Sequence, residues 1–266
     1  MPDKIKILLT AFSPFPQGGV ENISELTLEA FKKSDFYKHL PPNVEITYEV
    51  LDISGQKTEP HEVVEHCAAL IEKHHPDYVI AMGQEPPNRD GKPSIANDLG
   101  ALNFSPHYEI VEGEILEGIS IPIVEDGAVL KKADFSRPLL DALQNKNPIF
   151  KTREDWPEMG SCNAVHYRFM DAMEKQGKKN CTFLFHLAVA YAPNQNPPTA
   201  EAVEKRDHFV SSYCQVLEIS IPILNDFYGC AKDFSVACVT ADKAGEPSAM
   251  PAKKPPAASV TLPQSR

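Results

Sequence analysis

Apolar and polar positions along this chain change repeatedly between a strand-like and a helix-like period. Residues 4–10 form an apolar run that predicts a buried strand, and Ser13-Pro14-Phe15-Pro16-Gln17-Gly18-Gly19 follows as a turn. Ser24 reads as a helix N-cap, with Leu26, Leu28, Ala30 and Phe31 behind it. Residues 44–53 alternate as a strand, and residues 61–74 place Val63, Val64, Cys67, Leu70 and Ile71 on one helical face. Residues 78–82 predict a short buried strand that ends at Gly83. The same reading gives a strand over 118–124, a short helix over 137–144, a longer helix over 163–175, a buried strand over 181–187 and a helix over 199–213.

Strands that alternate with helices predict an α/β protein, built as a single three-layer α/β/α sandwich around a mostly parallel, mixed and twisted central sheet. Sites in such sheets collect at the carboxyl ends of strands, here after Gly83 and after His186. Residues 1–240 are expected to form this domain. Residues 241–266 are rich in Pro, Ala, Lys and Ser without a periodic apolar face, which predicts a flexible or docking tail.

The 266 residues carry a formal net charge of −11, with 42% hydrophobic and 24% charged residues. That balance is ordinary for a globular chain, and its sign argues against nucleic-acid or anionic-membrane partners. The first ten residues lack a secretory pattern, and no run reaches membrane-spanning length, so a cytoplasmic location is expected. The six cysteines, Cys67, Cys162, Cys181, Cys214, Cys230 and Cys238, form no CxxC pair. His74-His75 ends a charged helix and suits its negative C-terminal end.

Two residues stand out chemically. Cys162, in Gly160-Ser161-Cys162-Asn163, opens a predicted helix, where unpaired N–H groups and the positive dipole end favour a thiolate. His186 ends the apolar run 182–185 on the next element, where a neutral imidazole can take the thiol proton. Cys162 and His166 also share i, i+4 spacing, but no further metal-ligand pattern accompanies them, and no nucleotide-binding glycine loop is present. Neither a metal nor a cofactor is expected.

Four blocks in this order resemble pyroglutamyl peptidase I, or pyrrolidone carboxyl peptidase, a family of cysteine peptidases. The first is Ile7-Leu8-Leu9-Thr10-Ala11-Phe12-Ser13-Pro14-Phe15 with Asn22 after the turn, similar to the family's Gly-Phe-x-Pro-Phe-Gly-Gly loop, with Ala11 in place of its glycine. The second runs from Pro76 through Gly83-Gln84 to Arg89 and Asp98-Leu99-Gly100-Ala101-Leu102-Asn103. It resembles the Gly-Arg and Glu-Arg-x-Ala-x-Asn elements, with Asp98 at the glutamate, Leu99 at the following arginine and a longer segment between Arg89 and Asn103. The third, around Cys162, resembles a shortened Ala-Gly-Thr-x-x-Cys-Asn motif. The fourth, Phe183-Leu184-Phe185-His186 followed by Tyr191-Ala192-Pro193-Asn194-Gln195, resembles the Phe-Ile-His-x-Pro segment. The Cys162-to-His186 interval equals the family's.

The resemblance implies an exopeptidase that hydrolyses the amide after an N-terminal pyroglutamate, with Cys162 as nucleophile, His186 as base and Asp98 as the acid that orients it. Arg89 would stabilise charge, while Phe12, Phe15 and Gln84 would line the substrate pocket. The implied substrates are peptides with N-terminal pyroglutamate, and a homo-oligomer is among the implied assemblies. Asp98 is one methylene shorter than glutamate and reaches roughly 1.5 Å less, so Glu85 is a second candidate for the acid. Two other readings stay open: a divergent, weakly active or inactive homologue that binds a peptide or modified N-terminus, and a hydrolase of another small lactam or amide.

Overall fold

Strand β1 (Ile5–Phe12) is buried on both faces apart from Lys6, as a strand inside a parallel sheet must be. In this computed structural model the chain continues through α1 (Ile23–Lys33), α2 (Asp35–Lys38), β2 (Val44–Leu51), α3 (Pro60–His74), β3 (Tyr78–Glu85), β4 (Ile95–Asp98) and β5 (Gly100–Leu102). It then forms β6 (Ser105–Val111), β7 (Glu114–Ile121), β8 (Leu130–Lys132), α4 (Arg137–Lys146), β9 (Phe150–Arg153), α5 (Ser161–Lys175), β10 (Thr182–Ala188) and α6 (Ala200–Ala241). The structure describes residues 4–14, 21–52, 60–103, 105–111, 114–132, 137–153, 161–179, 181–191 and 199–241. The chain divides into two compact units, Met1–Tyr228 and Gly229–Arg266. The architecture that follows is that of the first. The predicted tail from 242 onward lies outside the described residues.

Six strands form the central sheet in the order β2-β1-β3-β10-β4-β9. All neighbours are parallel except β10 and β4. This is the expected mixed sheet of a three-layer sandwich. Side chains alternate across it with period two. Ile5, Ile7, Leu9, Ile80, Phe183, Phe185 and Leu187 meet Leu28 and Phe31 of α1, Leu140 and Leu143 of α4, and Phe209, Tyr213 and Leu217 of α6. On the other face Leu8, Phe12, Val79, Ala81 and Leu184 meet Val63, Cys67, Leu70 and Ile71 of α3 and Val165, Phe169 and Met173 of α5. Each fully buried side chain of this size contributes about 1.5–3 kcal/mol, so both helical layers are held mainly by apolar burial.

Several local expectations are corrected. The N-cap of α1 is Asn22, whose side chain accepts the Ser24 N–H; the Ser24 hydroxyl instead accepts from the Phe12 backbone N–H. Asn and Ser are nearly equal as caps, so tertiary contact decides between them. Strand β3 passes through Gly83 to Glu85, because its neighbour β10 continues to supply ladder partners after the β1 ladder ends at Ala81. The strand expected over 118–124 is β7, which starts earlier and pairs antiparallel with β6 outside the central sheet. The 199–213 helix extends to Ala241 with Pro222 inside it. At the end of α3, His75 has φ 45° and its N–H bonds the Ile71 carbonyl, so it closes the helix in the left-handed region usually left to glycine.

Candidate active site

The register of three strands assembles the site. His186 on β10 pairs with Gly83 on β3 and with Ala96 on β4. Alternation then places Gly83 and Glu85 of β3, Ala96 and Asp98 of β4, and His186 on one face, the face covered by α3 and α5. Cys162 is the second residue of α5 and packs at the edge of the apolar cluster on this face. Its sulfur therefore sits in the first turn of a helix, where backbone N–H groups lack helical partners.

Gly83 explains how close the pair comes. A Cβ built on Gly83 would lie 2.8 Å from Cys162 Sγ, 2.9 Å from His186 Cδ2 and 3.4 Å from His186 Nε2. His186 hydrogen-bonds the Cys162 sulfur. Its Nδ1 lies 3.3 Å from Glu85 Oε1 and 3.4 Å from Asp98 Oδ2. Neither contact meets hydrogen-bond geometry at Nδ1, so both are ion-pair approaches and Nε2 is the nitrogen that serves sulfur.

His186, Asp98 and Glu85 are 2%, 2% and 8% exposed. Burial alone lowers the His186 pKa and is the largest single influence. The hydrogen bond to Cys162 and the close approach of the Glu85 carboxylate, with the charges of Cys162 and Asp98, together outweigh it and raise the pKa to about 10. The arrangement thus favours an imidazolium beside sulfur. His166, one turn further along α5, is fully buried; burial and then repulsion from His186 push its pKa down to about 3, which keeps it neutral.

Asn163 was visible only as a motif neighbour of the cysteine. Its amide accepts from Leu102 N at 2.8 Å and donates to Leu102 O at 3.0 Å. That two-way clamp ties the helix that carries Cys162 to β5, the strand that follows Asp98. Asn103 donates to the carbonyls of Val124 and Gly127 and accepts the Val124 N–H, which anchors the next loop.

The remaining sequence-derived site residues are placed differently. Phe12 is 1% exposed and belongs to the apolar cluster that Cys162 leans on. Gln84 points to the opposite face from His186, and its Oε1 accepts the Ile23 N–H at 3.0 Å at the start of α1. Arg89 stands exposed in the turn after β3 instead of packing against the pair. Phe15 lies outside the described residues. Among the described residues no helix is long and apolar enough to cross a membrane.

The fold is that of the pyrrolidone carboxyl peptidases. The enzyme from Thermococcus litoralis superposes with a TM-score of 0.63 at 18% identity, over 85% of this chain and 96% of that one. A variant of pyrrolidone carboxyl peptidase from the hyperthermophile Pyrococcus furiosus gives 0.61 at 18% identity, over 84% of this chain and 100% of its own. Another variant of the Pyrococcus furiosus protein gives 0.59 at 18% identity over 82% and 97%. No family model and no curated protein sequence matches the chain.

Proposed function

We propose that this chain is a cysteine exopeptidase that removes N-terminal pyroglutamate from peptides, with Cys162 as nucleophile, His186 as base and Asp98 in the acid's place. The observation that carries the reading is the His186 imidazole held between the Cys162 sulfur and buried carboxylate, on a fold shared with pyrrolidone carboxyl peptidases. Neither a metal nor a cofactor is needed for such chemistry.

The thiol proton already resides on His186 Nε2 in the resting pair, and the thiolate attacks the carbonyl carbon of the pyroglutamyl amide; a C–S bond forms and the carbonyl π electrons move to oxygen. N–H groups in the first turn of α5 receive that oxyanion. On collapse the C–N bond breaks, and the His186 proton passes to the leaving amine. Water, deprotonated by His186, then attacks the thioester carbonyl. The C–S bond breaks, the proton returns to the Cys162–His186 pair, and pyroglutamate is released. Phe12 belongs to the apolar cluster against which Cys162 packs. Arg89 and Gln84 carry no step, given their exposed and opposite-face positions.

The test is hydrolysis of a pyroglutamyl fluorogenic amide by the purified protein and by Cys162→Ser. Turnover in the parent that disappears in Cys162→Ser is expected. Equal turnover in both would remove the assignment.

A second reading, binding of a peptide or modified N-terminus without efficient hydrolysis, is favoured by the 3.3 and 3.4 Å contacts at Nδ1. Charge-assisted hydrogen bonds are ordinarily about 2.7–2.9 Å. Retention of a pyroglutamyl peptide without turnover would select it.

A further inference from the structure

We infer that the acid of this site is a pair, in which Glu85 acts with Asp98 as a positioning residue for His186. The inference rests on the Cys162–His186 reading. Glu85 reaches Nδ1 from β3 and Asp98 reaches it from β4, the two strands that flank β10. The two distances differ by only 0.1 Å, taken as 3.4 minus 3.3. A single Nδ1–H cannot point straight at two carboxylates, and an N–H shared between them is bent toward each and linear to neither. Both oxygens lie within 3.4 Å of Nδ1, and neither contact meets hydrogen-bond geometry there.

The placement follows from backbone register. Glu85 pairs with Ala188, and its carbonyl accepts the Val189 N–H at 3.1 Å, which fixes its Cα two residues beyond Gly83. Asp98 lies two residues beyond Ala96 on a strand running the opposite way. Each is a diagonal same-face neighbour of His186, at a separation long side chains span. A second carboxylate from β3 therefore supplements the shorter reach of Asp98. The titratable groups facing the imidazole are Cys162 and His166 from α5, Glu85 from β3 and Asp98 from β4.

The experiment compares the full chain with Glu85→Gln, Asp98→Asn and the double variant. It measures alkylation of Cys162 by iodoacetamide from pH 5 to 10, mapped by mass spectrometry, beside pyroglutamyl amide hydrolysis. Alkylation requires no substrate. Each single variant is expected to lower the rate at pH 7 by roughly 10-fold and to move the pH profile upward. The double variant is expected to lose roughly 100-fold or more, and Glu85→Asp to recover part of the loss.

A Glu85→Gln profile matching the parent, with the double variant matching Asp98→Asn, overturns the pair in favour of Asp98 alone. The mirror result overturns it in favour of Glu85. Should Glu85→Gln fail to fold, Glu85→Asp carries the test, and a profile identical to the parent's overturns the pair. The expected alkylation series without hydrolysis in any protein keeps the paired acid and rejects the pyroglutamyl reading. Hydrolysis that is indifferent to Glu85→Gln and to Glu85→Asp does the reverse.

Discussion

The Cys162 sulfur occupies the space that a side chain on Gly83 would need, since a Cβ there would lie 2.8 Å from Sγ. The second obstacle is the His186 ring, at 2.9 Å from Cδ2. Both neighbours belong to the proposed reacting pair, so added volume at this position acts on the chemistry first.

Gly83→Ala is therefore expected to fold with a loss of about 1–3 kcal/mol, the usual cost of overpacking. Hydrolysis should fall further, on the order of 100-fold, because a displacement near 1 Å suffices for that loss. Urea unfolding and fluorogenic turnover separate the two effects. An alanine variant with parental turnover would contradict this packing.

Asn163 is 2% exposed and satisfies both backbone groups of Leu102. Asn163→Ala leaves a buried donor and acceptor without these partners, which costs about 1–3 kcal/mol. Asn163→Asp keeps an acceptor for the Leu102 N–H and loses the donor to its carbonyl. Denaturant midpoints should rank parent above both variants. Because the clamp holds α5 to the strand after Asp98, kcat should fall in both as well.

The two buried histidines should titrate in opposite directions. His186, raised to about 10, stays protonated in the fold where an unfolded histidine near 6.5 loses its proton. Its stabilising contribution is complete below pH 6.5 and disappears as pH rises through about 10. His166, depressed to about 3 by burial and by repulsion from His186, is neutral in the fold. Its contribution holds above pH 6.5 and is lost as pH falls toward 3. Ring NMR titration from pH 4 to 10 should show His186 doubly protonated at pH 7.5 and His166 singly protonated at pH 5. His166→Met should move the acid-unfolding midpoint to lower pH.

Selective labelling follows from the other thiols. Burial pushes the Cys181 thiol up to about 11 and the Cys214 thiol up to about 12, and it raises Cys67 as well. At pH 7.5 a thiol of pKa 11 is roughly 0.03% thiolate. Brief treatment with limiting iodoacetamide should label Cys162 well ahead of these three. Equal labelling of Cys162 and Cys181 would argue against an activated pair.

Much of the frame was legible along the chain because its signals are local. The apolar runs that became β1, β3 and β10, and the helical faces of α3 and α5, carry their period in a few consecutive residues. Strand β4 was not legible. Ile95-Ala96-Asn97-Asp98 is short, half polar and flanked by Gly and Pro, and it becomes a strand because β10 and β9 offer ladders on both sides. The cap at Asn22 was likewise decided by tertiary contact, since the Phe12 N–H claims the Ser24 hydroxyl.

By itself the sequence determined the alternation of elements, the layered α/β class and the residue types of a thiol–imidazole site, all properties of neighbouring positions. Only the tertiary structure decided that Gly83 opens the space for sulfur, that Gln84 faces away, that Asn163 clamps Leu102, and that Glu85 and Asp98 approach His186 almost equally. Those relations depend on which strands become neighbours, in which direction and in which register. A one-residue slip in any of them would turn each side chain to the other face of the sheet.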